Sequence, residues 1–145
     1  MAVKRALLGG LFAGIVAFLF YLLANNYLFS WVFQIVPADV WKMAPTGWLW
    51  YVLIFLIVLL QGEIFSFVYA VLEVSMPGIR LSKGIMFGVA IWLVSSLPLA
   101  LMQLMTTKLA PFVVIYVLLS SLVLYILMGI VIAETFTLNA EERHP

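Results

Sequence analysis

The feature that most constrains this chain is a series of apolar stretches that are longer than the core segments of a small soluble domain. One of them, residues 51–60, reads Tyr-Val-Leu-Ile-Phe-Leu-Ile-Val-Leu-Leu. Charged residues make up 9% of the 145 positions and hydrophobic residues 67%, too few charges to cover a surface in water. Runs of about 20 apolar residues cross the hydrocarbon of a bilayer as helices, whose amides pair within the helix. We therefore expect an integral membrane protein.

Charges, prolines and glycines divide the chain into four spans. We predict helices over about residues 5–34, 47–76, 83–107 and 111–137, followed by a polar cytoplasmic tail over 138–145. The first span follows a basic start, but it is longer than the apolar part of a signal peptide, so we expect it to be retained. The prediction is a single all-α domain, a four-transmembrane-helix bundle.

Basic residues near the span ends predict the orientation, because cytoplasmic loops carry an excess of lysine and arginine. The N terminus, the second loop and the C terminus together carry Lys4, Arg5, Arg80, Lys83 and Arg143. The other two loops carry Lys42 and Lys108. Both termini are predicted to be cytoplasmic, in the cytoplasmic membrane of a bacterium or an archaeon.

Two spans begin with glycines at a small-xxx-small spacing, which lets helix backbones approach closely. These glycines are Gly10 and Gly14 in the first span and Gly84 and Gly88 in the third. The helix that follows each of these spans ends near a glutamate, Glu73 or Glu134. The pattern favours two helical hairpins related by a pseudo-twofold axis along the membrane normal. A chance likeness between membrane helices is the alternative, and the glycine faces serve packing either within the chain or with another chain.

Glu63 is the most informative residue for function, since it lies near the middle of the second span. A charged side chain at that depth costs roughly 2.5–3.5 kcal/mol on insertion scales, so lipid favours the protonated carboxyl. Polar residues at a similar depth are candidates for one hydrogen-bonded layer with it. They are Gln61, Ser66, Tyr21, Ser95, Ser96, Ser120 and Ser121. Such a layer either binds helices together or provides a path for protons or cations.

Charged residues near the predicted cytoplasmic ends of the spans are expected to form interfacial ion pairs. They are Lys4, Arg5, Glu73, Arg80, Lys83 and Glu134.

The residues that most enzymes and metal proteins need are scarce. The sequence has no cysteine and one histidine, His144, and its net charge of +1 offers no basic surface for nucleic acid. We predict no catalytic, cofactor-binding or metal-binding residue and no cofactor.

The predicted function is therefore non-enzymatic. We expect a small structural or accessory subunit, surrounded by membrane lipid, that associates with itself as a homo-oligomer or with a larger membrane complex. One alternative is a small proton- or cation-coupled transporter or channel that uses Glu63. Another is a lipid-modifying enzyme, whose reactive groups would come from Glu73, Glu134 and nearby basic residues.

Overall fold

The computed structural model describes residues 2–28, 30–31, 47–106 and 110–141. These residues form four long helices, each long and apolar enough to cross a membrane, which confirms the predicted all-α four-helix bundle. The helices are α1 (Ala2–Leu23, continued by a π-helical turn, Ala24–Leu28), α2 (Trp48–Leu72, continued by a 3-10 turn, Glu73–Ser75), α3 (Arg80–Thr106) and α4 (Pro111–Glu141).

Several helix ends differ from the predicted spans. Helix α1 begins at Ala2, three residues before the predicted start, and its π-helical turn ends at Leu28, before the predicted end at residue 34. Helix α3 begins at Arg80, one turn before the predicted start, because Gly78 adopts a positive φ of 102° and reverses the chain directly after Pro77. Helix α4 continues to Glu141 and so includes the first residues of the predicted polar tail. Good helix formers such as Ala140 and Glu141 allow this extension. Four further residues of the predicted loops and tail lie outside the described residues, namely Lys42, Lys108, Arg143 and His144.

The chain crosses the bundle four times, so the start of α1 and the end of α4 lie at the same end. The connection 73–79 lies there as well, and we call this the basic end because it holds Lys4, Arg5, Arg80 and Lys83. At the opposite end, α4 starts with Pro111. Proline has no amide N–H, and amides in the first turn of a helix have no partner within the helix, so proline fits this position.

Each hairpin is held together by a glycine contact of the same kind. In the hairpin α1–α2, Gly62 lies against the backbone of Gly10 and Gly14, and in the hairpin α3–α4, Gly129 lies against the backbone of Gly84 and Gly88. A methyl group added at Gly62 would come within 2.8 Å of the Gly14 nitrogen, so only glycine fits. The predicted glycine faces therefore serve packing within the chain in both hairpins.

This shared contact also defines which residues of the two halves correspond. Gly62 matches Gly129, and in that register Glu134 matches Phe67 rather than Glu73. The two glutamates are therefore not equivalent, although both lie toward the basic end.

The two hairpins pack against each other asymmetrically. Helix α1 lies close to α4, whereas the backbones of α2 and α3 approach each other little. The buried face of α1 presents small residues, namely Ala6, Gly9, Ala13 and Ala17. At the corresponding positions α3 has larger ones, namely Arg80, Lys83, Phe87 and Ile91. Small side chains let α1 reach α4, and large side chains hold α3 away from α2.

Aromatic rings occupy the wider space between α2 and α3. The ring of Phe87 meets those of Phe65 and Tyr69 edge to face, with centroids 6.4 and 5.2 Å apart. Tyr69 in turn meets Phe136 of α4 at 5.3 Å, and the two occupy matching positions in the repeat. Edge-to-face pairs of this kind add about 0.5–1.5 kcal/mol each beyond the area they bury.

Candidate functional site

Glu63 lies at the edge of the α1–α2 interface, directly over Gly10. An added methyl group at Gly10 would come within 2.6 Å of the Glu63 carboxyl oxygen Oε2. That oxygen is buried and has no hydrogen-bond partner among the described residues, while the residue as a whole is only half-buried. Glu63 is 15 residues from the start of α2 and nine from its end, or about 22 and 14 Å at 1.5 Å per residue. The carboxyl is therefore deep in the membrane-spanning part of the bundle.

Ser66, one turn further along α2, is fully buried at 0% exposure. Its hydroxyl oxygen Oγ lies 2.7 Å from where a Cβ atom at Gly9 would be, and it has no partner among the described residues. The backbone of α1 at Gly9 and Gly10 thus covers two polar groups of α2.

Gln61 points to a different neighbour. Its side-chain amide Nε2 donates a hydrogen bond of 3.1 Å to the hydroxyl of Tyr125 on α4. Tyr21 of α1 lies near enough to Tyr125 for their phenol groups to interact electrostatically. The hydrogen bond between Gln61 and Tyr125 thus links α2 and α4 through polar side chains. Tyr125 was not predicted as a site residue, because it comes one turn after the predicted serines of its span.

The predicted serines mostly bond to their own helices. Ser95 donates to the carbonyl of Ile91 at 2.7 Å, and Ser120 donates to that of Tyr116 at 2.9 Å. Ser121 donates to the carbonyl of Leu118 at 2.7 Å, a group that also accepts a bond from the indole of Trp92 on α3. The described contacts of these serines therefore do not join them to Glu63.

A small cavity of about 70 Å³ lies between α3 and α4, toward the opposite end from the basic one. Its polar lining consists of Ser96, Gln103 and Ser121. Its volume would admit one or two water molecules, too little for a larger ligand.

A larger cavity of about 490 Å³ opens at the basic end, where α2 and α3 are held apart. It is lined by Tyr69, Glu73, Gly78, Ile79, Arg80, Leu81, Lys83 and Glu134. Four of the six predicted interfacial charges thus line one space, while Lys4 and Arg5 on the first turns of α1 do not line it. The ammonium group of Lys83 donates a hydrogen bond of 3.0 Å to the backbone carbonyl of Glu73.

Tyr69 forms the inner wall of this cavity and is 1% exposed. It was not predicted as a site residue. The one sequence signal is its spacing, since Ser66, Tyr69 and Glu73 follow each other at three and four residues along one face of α2. Glu63 lines neither of the two cavities just described, which are formed by residues within 69–134.

Four apolar helices of membrane-spanning length define this chain as a small membrane protein. The described residues contain no group of three or more histidine, aspartate or glutamate side chains that could hold a metal ion. Comparison with protein-family models, curated proteins and solved structures finds no match for the chain.

Proposed function

We propose that this chain is a non-enzymatic structural or accessory membrane protein that associates with a second copy of itself through the edge of α1 and α2 at Glu63. The observation that carries the proposal is Glu63, a half-buried residue deep in the bundle whose buried carboxyl oxygen Oε2 has no hydrogen-bond partner among the described residues. We also propose that the basic end faces the cytoplasm, as the distribution of lysine and arginine favours.

The need for a partner follows from the solvent. Hydrocarbon offers no hydrogen bonds, so an unsatisfied polar group there costs several kcal/mol. Within one chain, Glu63 packs over a glycine that has no side chain to offer it. Because Oε2 is buried in the single chain, the half-buried side chain would have to turn toward the edge, where a donor and an acceptor from a second molecule would lower that cost.

A second copy supplies such a group at the right depth. In a parallel dimer whose twofold axis runs along the membrane normal, equivalent residues of the two copies lie at equal depth and meet near the axis. Two protonated carboxyl groups can then donate to and accept from each other. Large exposed residues at helical spacing from Glu63 provide the apolar part of such an interface, namely Leu56, Leu60 and Phe67.

The test measures association in liposomes over a series of protein-to-lipid ratios, by energy transfer between labelled copies. Replacing Glu63→Leu removes the hydrogen bonds and is expected to weaken the dimer by about 0.6–2 kcal/mol, or roughly 3- to 30-fold. Glu63→Gln keeps a side chain that both donates and accepts, so its dimer is expected to persist. Ser95→Ala is the control, since Ser95 is exposed on α3 and its described hydrogen bond goes to the carbonyl of Ile91 in the same helix. A chain that stays monomeric at all ratios, or a Glu63→Leu variant that dimerises like the wild type, would contradict the proposal.

The same residue supports a second candidate, a small proton- or cation-coupled transporter or channel. A carboxyl without a partner is free to exchange a proton for a ligand. The two candidates differ in what Glu63→Gln does, because an amide keeps the hydrogen bond but cannot titrate. Transport would be favoured if the wild type shows proton-dependent flux into vesicles and if Glu63→Gln abolishes this flux while association persists. Absence of flux in the wild type together with Glu63-dependent association favours the accessory function.

A further inference from the structure

The cavity at the basic end exists because the two halves of the chain differ at corresponding positions. Lys83 and Phe87 of α3 take the places that Gly9 and Ala13 hold in α1. The small pair lets α1 pack on α4, whereas the large pair keeps α3 from closing on α2. The result is a space of about 490 Å³, within the range of small-molecule binding sites.

This cavity lies at the ends of the membrane-spanning helices, where we expect the lipid headgroups. Its charged lining comes from the last turn of α2, the first turn of α3 and Glu134 of α4. Tyr69 and Lys83 each lie three residues inside the end of their helix, or about 5 Å deep. The cavity therefore extends from the interface a short way toward the hydrocarbon, as a headgroup with its glycerol does.

The lining carries both signs of charge and an apolar wall. Arg80 and Lys83 are cations, and Glu73 and Glu134 are anions, so the lining as a whole is balanced. The ammonium group of Lys83 has three N–H donors, of which one is given to the carbonyl of Glu73. Ile79 and Leu81 line the same cavity and are largely exposed, at 76% and 48%.

We propose that this cavity binds the headgroup of a zwitterionic phospholipid that carries a primary ammonium group, that is, a phosphatidylethanolamine. Lys83 and Arg80 contact the phosphate, and the carboxylates of Glu73 and Glu134 accept hydrogen bonds from the ammonium. Ile79 and Leu81 lie beside the glycerol and the first methylenes of the acyl chains. A purely anionic headgroup satisfies only the two cations, and a trimethylammonium headgroup has no N–H to donate to the carboxylates.

The proposal is tested by native mass spectrometry of the full chain in detergent with one defined lipid at a time. We expect phosphatidylethanolamine to bind about fivefold or more tightly than phosphatidylcholine or phosphatidylglycerol with the same acyl chains. Glycerophosphoethanolamine, which has the headgroup without the chains, is expected to bind at least tenfold more weakly, because it lacks the apolar contacts. Equal binding of the three lipids, or a preference for phosphatidylglycerol, would overturn the proposal. Glycerophosphoethanolamine binding as tightly as the lipid would also overturn it, since the site would then take a soluble ligand.

Substitutions of lining residues test whether the preference for phosphatidylethanolamine depends on this cavity. Lys83→Gln and Glu134→Gln are each expected to reduce the preference for phosphatidylethanolamine over phosphatidylcholine about fivefold. Lys4→Gln is the matched control, because Lys4 is an exposed basic-end lysine outside the cavity, and it should leave the preference unchanged. A wild-type preference that persists in the Lys83 and Glu134 variants, or one that Lys4→Gln removes, would show that the lipid binds elsewhere.

Should either cavity variant lose its helical circular dichroism, the comparison of the three lipids on the wild type still decides the question. This site is distinct from the Glu63 edge, so its failure would leave the proposed association in place.

Discussion

Replacing Gly62→Ala tests the contact on which the hairpin α1–α2 depends. The added Cβ atom would collide with the carbonyl oxygen of Gly10 and would lie 2.8 Å from the nitrogen and 3.1 Å from the Cα of Gly14. All of these atoms belong to the backbone of α1, so no side chain can turn away to make room. Since ordinary van der Waals contact begins at 3.4 Å, the two helices would have to separate locally by the order of 1 Å.

The size of the effect follows from two opposing contributions. Overpacking a close contact costs about 1–3 kcal/mol, because backbones shift and neighbouring atoms lose dispersion contacts. Alanine favours the helix over glycine by up to about 1 kcal/mol, which offsets part of this loss. We expect a net destabilisation of about 1–2 kcal/mol. Gly129→Ala should cost a similar amount, since Gly129 makes the equivalent contact in the hairpin α3–α4.

The assay is reversible unfolding in mixed micelles by increasing the fraction of sodium dodecyl sulfate, followed by circular dichroism and tryptophan fluorescence. Val71→Ile is the control, because Val71 is 77% exposed on α2 and an added methylene there meets lipid or detergent. Its free energy of unfolding should change by less than about 0.5 kcal/mol. If Gly62→Ala and Gly129→Ala were as stable as Val71→Ile, the glycine contacts would not hold the hairpins together and the reasoning would be wrong.

Two further predictions concern the contacts between the hairpins. Ala13→Leu places a large side chain on the fully buried face of α1, so we expect loss of a monodisperse peak in gel filtration, whereas Phe12→Leu on the exposed side should elute like the wild type. In a double-mutant cycle, Gln61→Leu and Tyr125→Phe should show a coupling energy of about 0.6 kcal/mol and at most about 1.7, measured by the same unfolding assay. A coupling of zero would mean that their hydrogen bond contributes nothing to stability.

The number of helices and their approximate limits were predictable, because length and hydropathy decide whether a segment crosses a membrane. The glycine pairs were also predictable as close contacts, although their partners Gly62 and Gly129 were not. The face of α1 that meets α4 was not predictable. In lipid the outside of a bundle is as apolar as the inside, so an exposed Leu60 and a buried Leu124 look alike in the sequence.

The candidate site, too, was predictable only in part. Depth along each span predicts a position for Glu63 near the middle of its span, because rise per residue is a property of the helix alone, and the residue lies about 22 and 14 Å from the ends of α2. The depth of a residue along its helix does not determine which side of the helix the residue faces. Ser95 and Ser120 lie at suitable depths, yet each bonds to its own helix, and the hydrogen bond of Gln61 goes to a tyrosine on α4. The grouping of these residues in one layer with Glu63 remains a prediction, because none of their described hydrogen bonds goes to Glu63.

Both proposals follow from how small residues are distributed between two similar hairpins. Helix α1 has small residues on two faces, so its backbone covers α2 at Gly10 and also approaches α4. The first of these contacts leaves the buried Oε2 of Glu63 over a residue that cannot bond to it, in a side chain that is half-buried at the edge of α1 and α2. Helix α3 has one such face, and Lys83 and Phe87 occupy the other. Because that face cannot close on α2, the charges at the basic end line a space, in which we propose that a lipid headgroup binds.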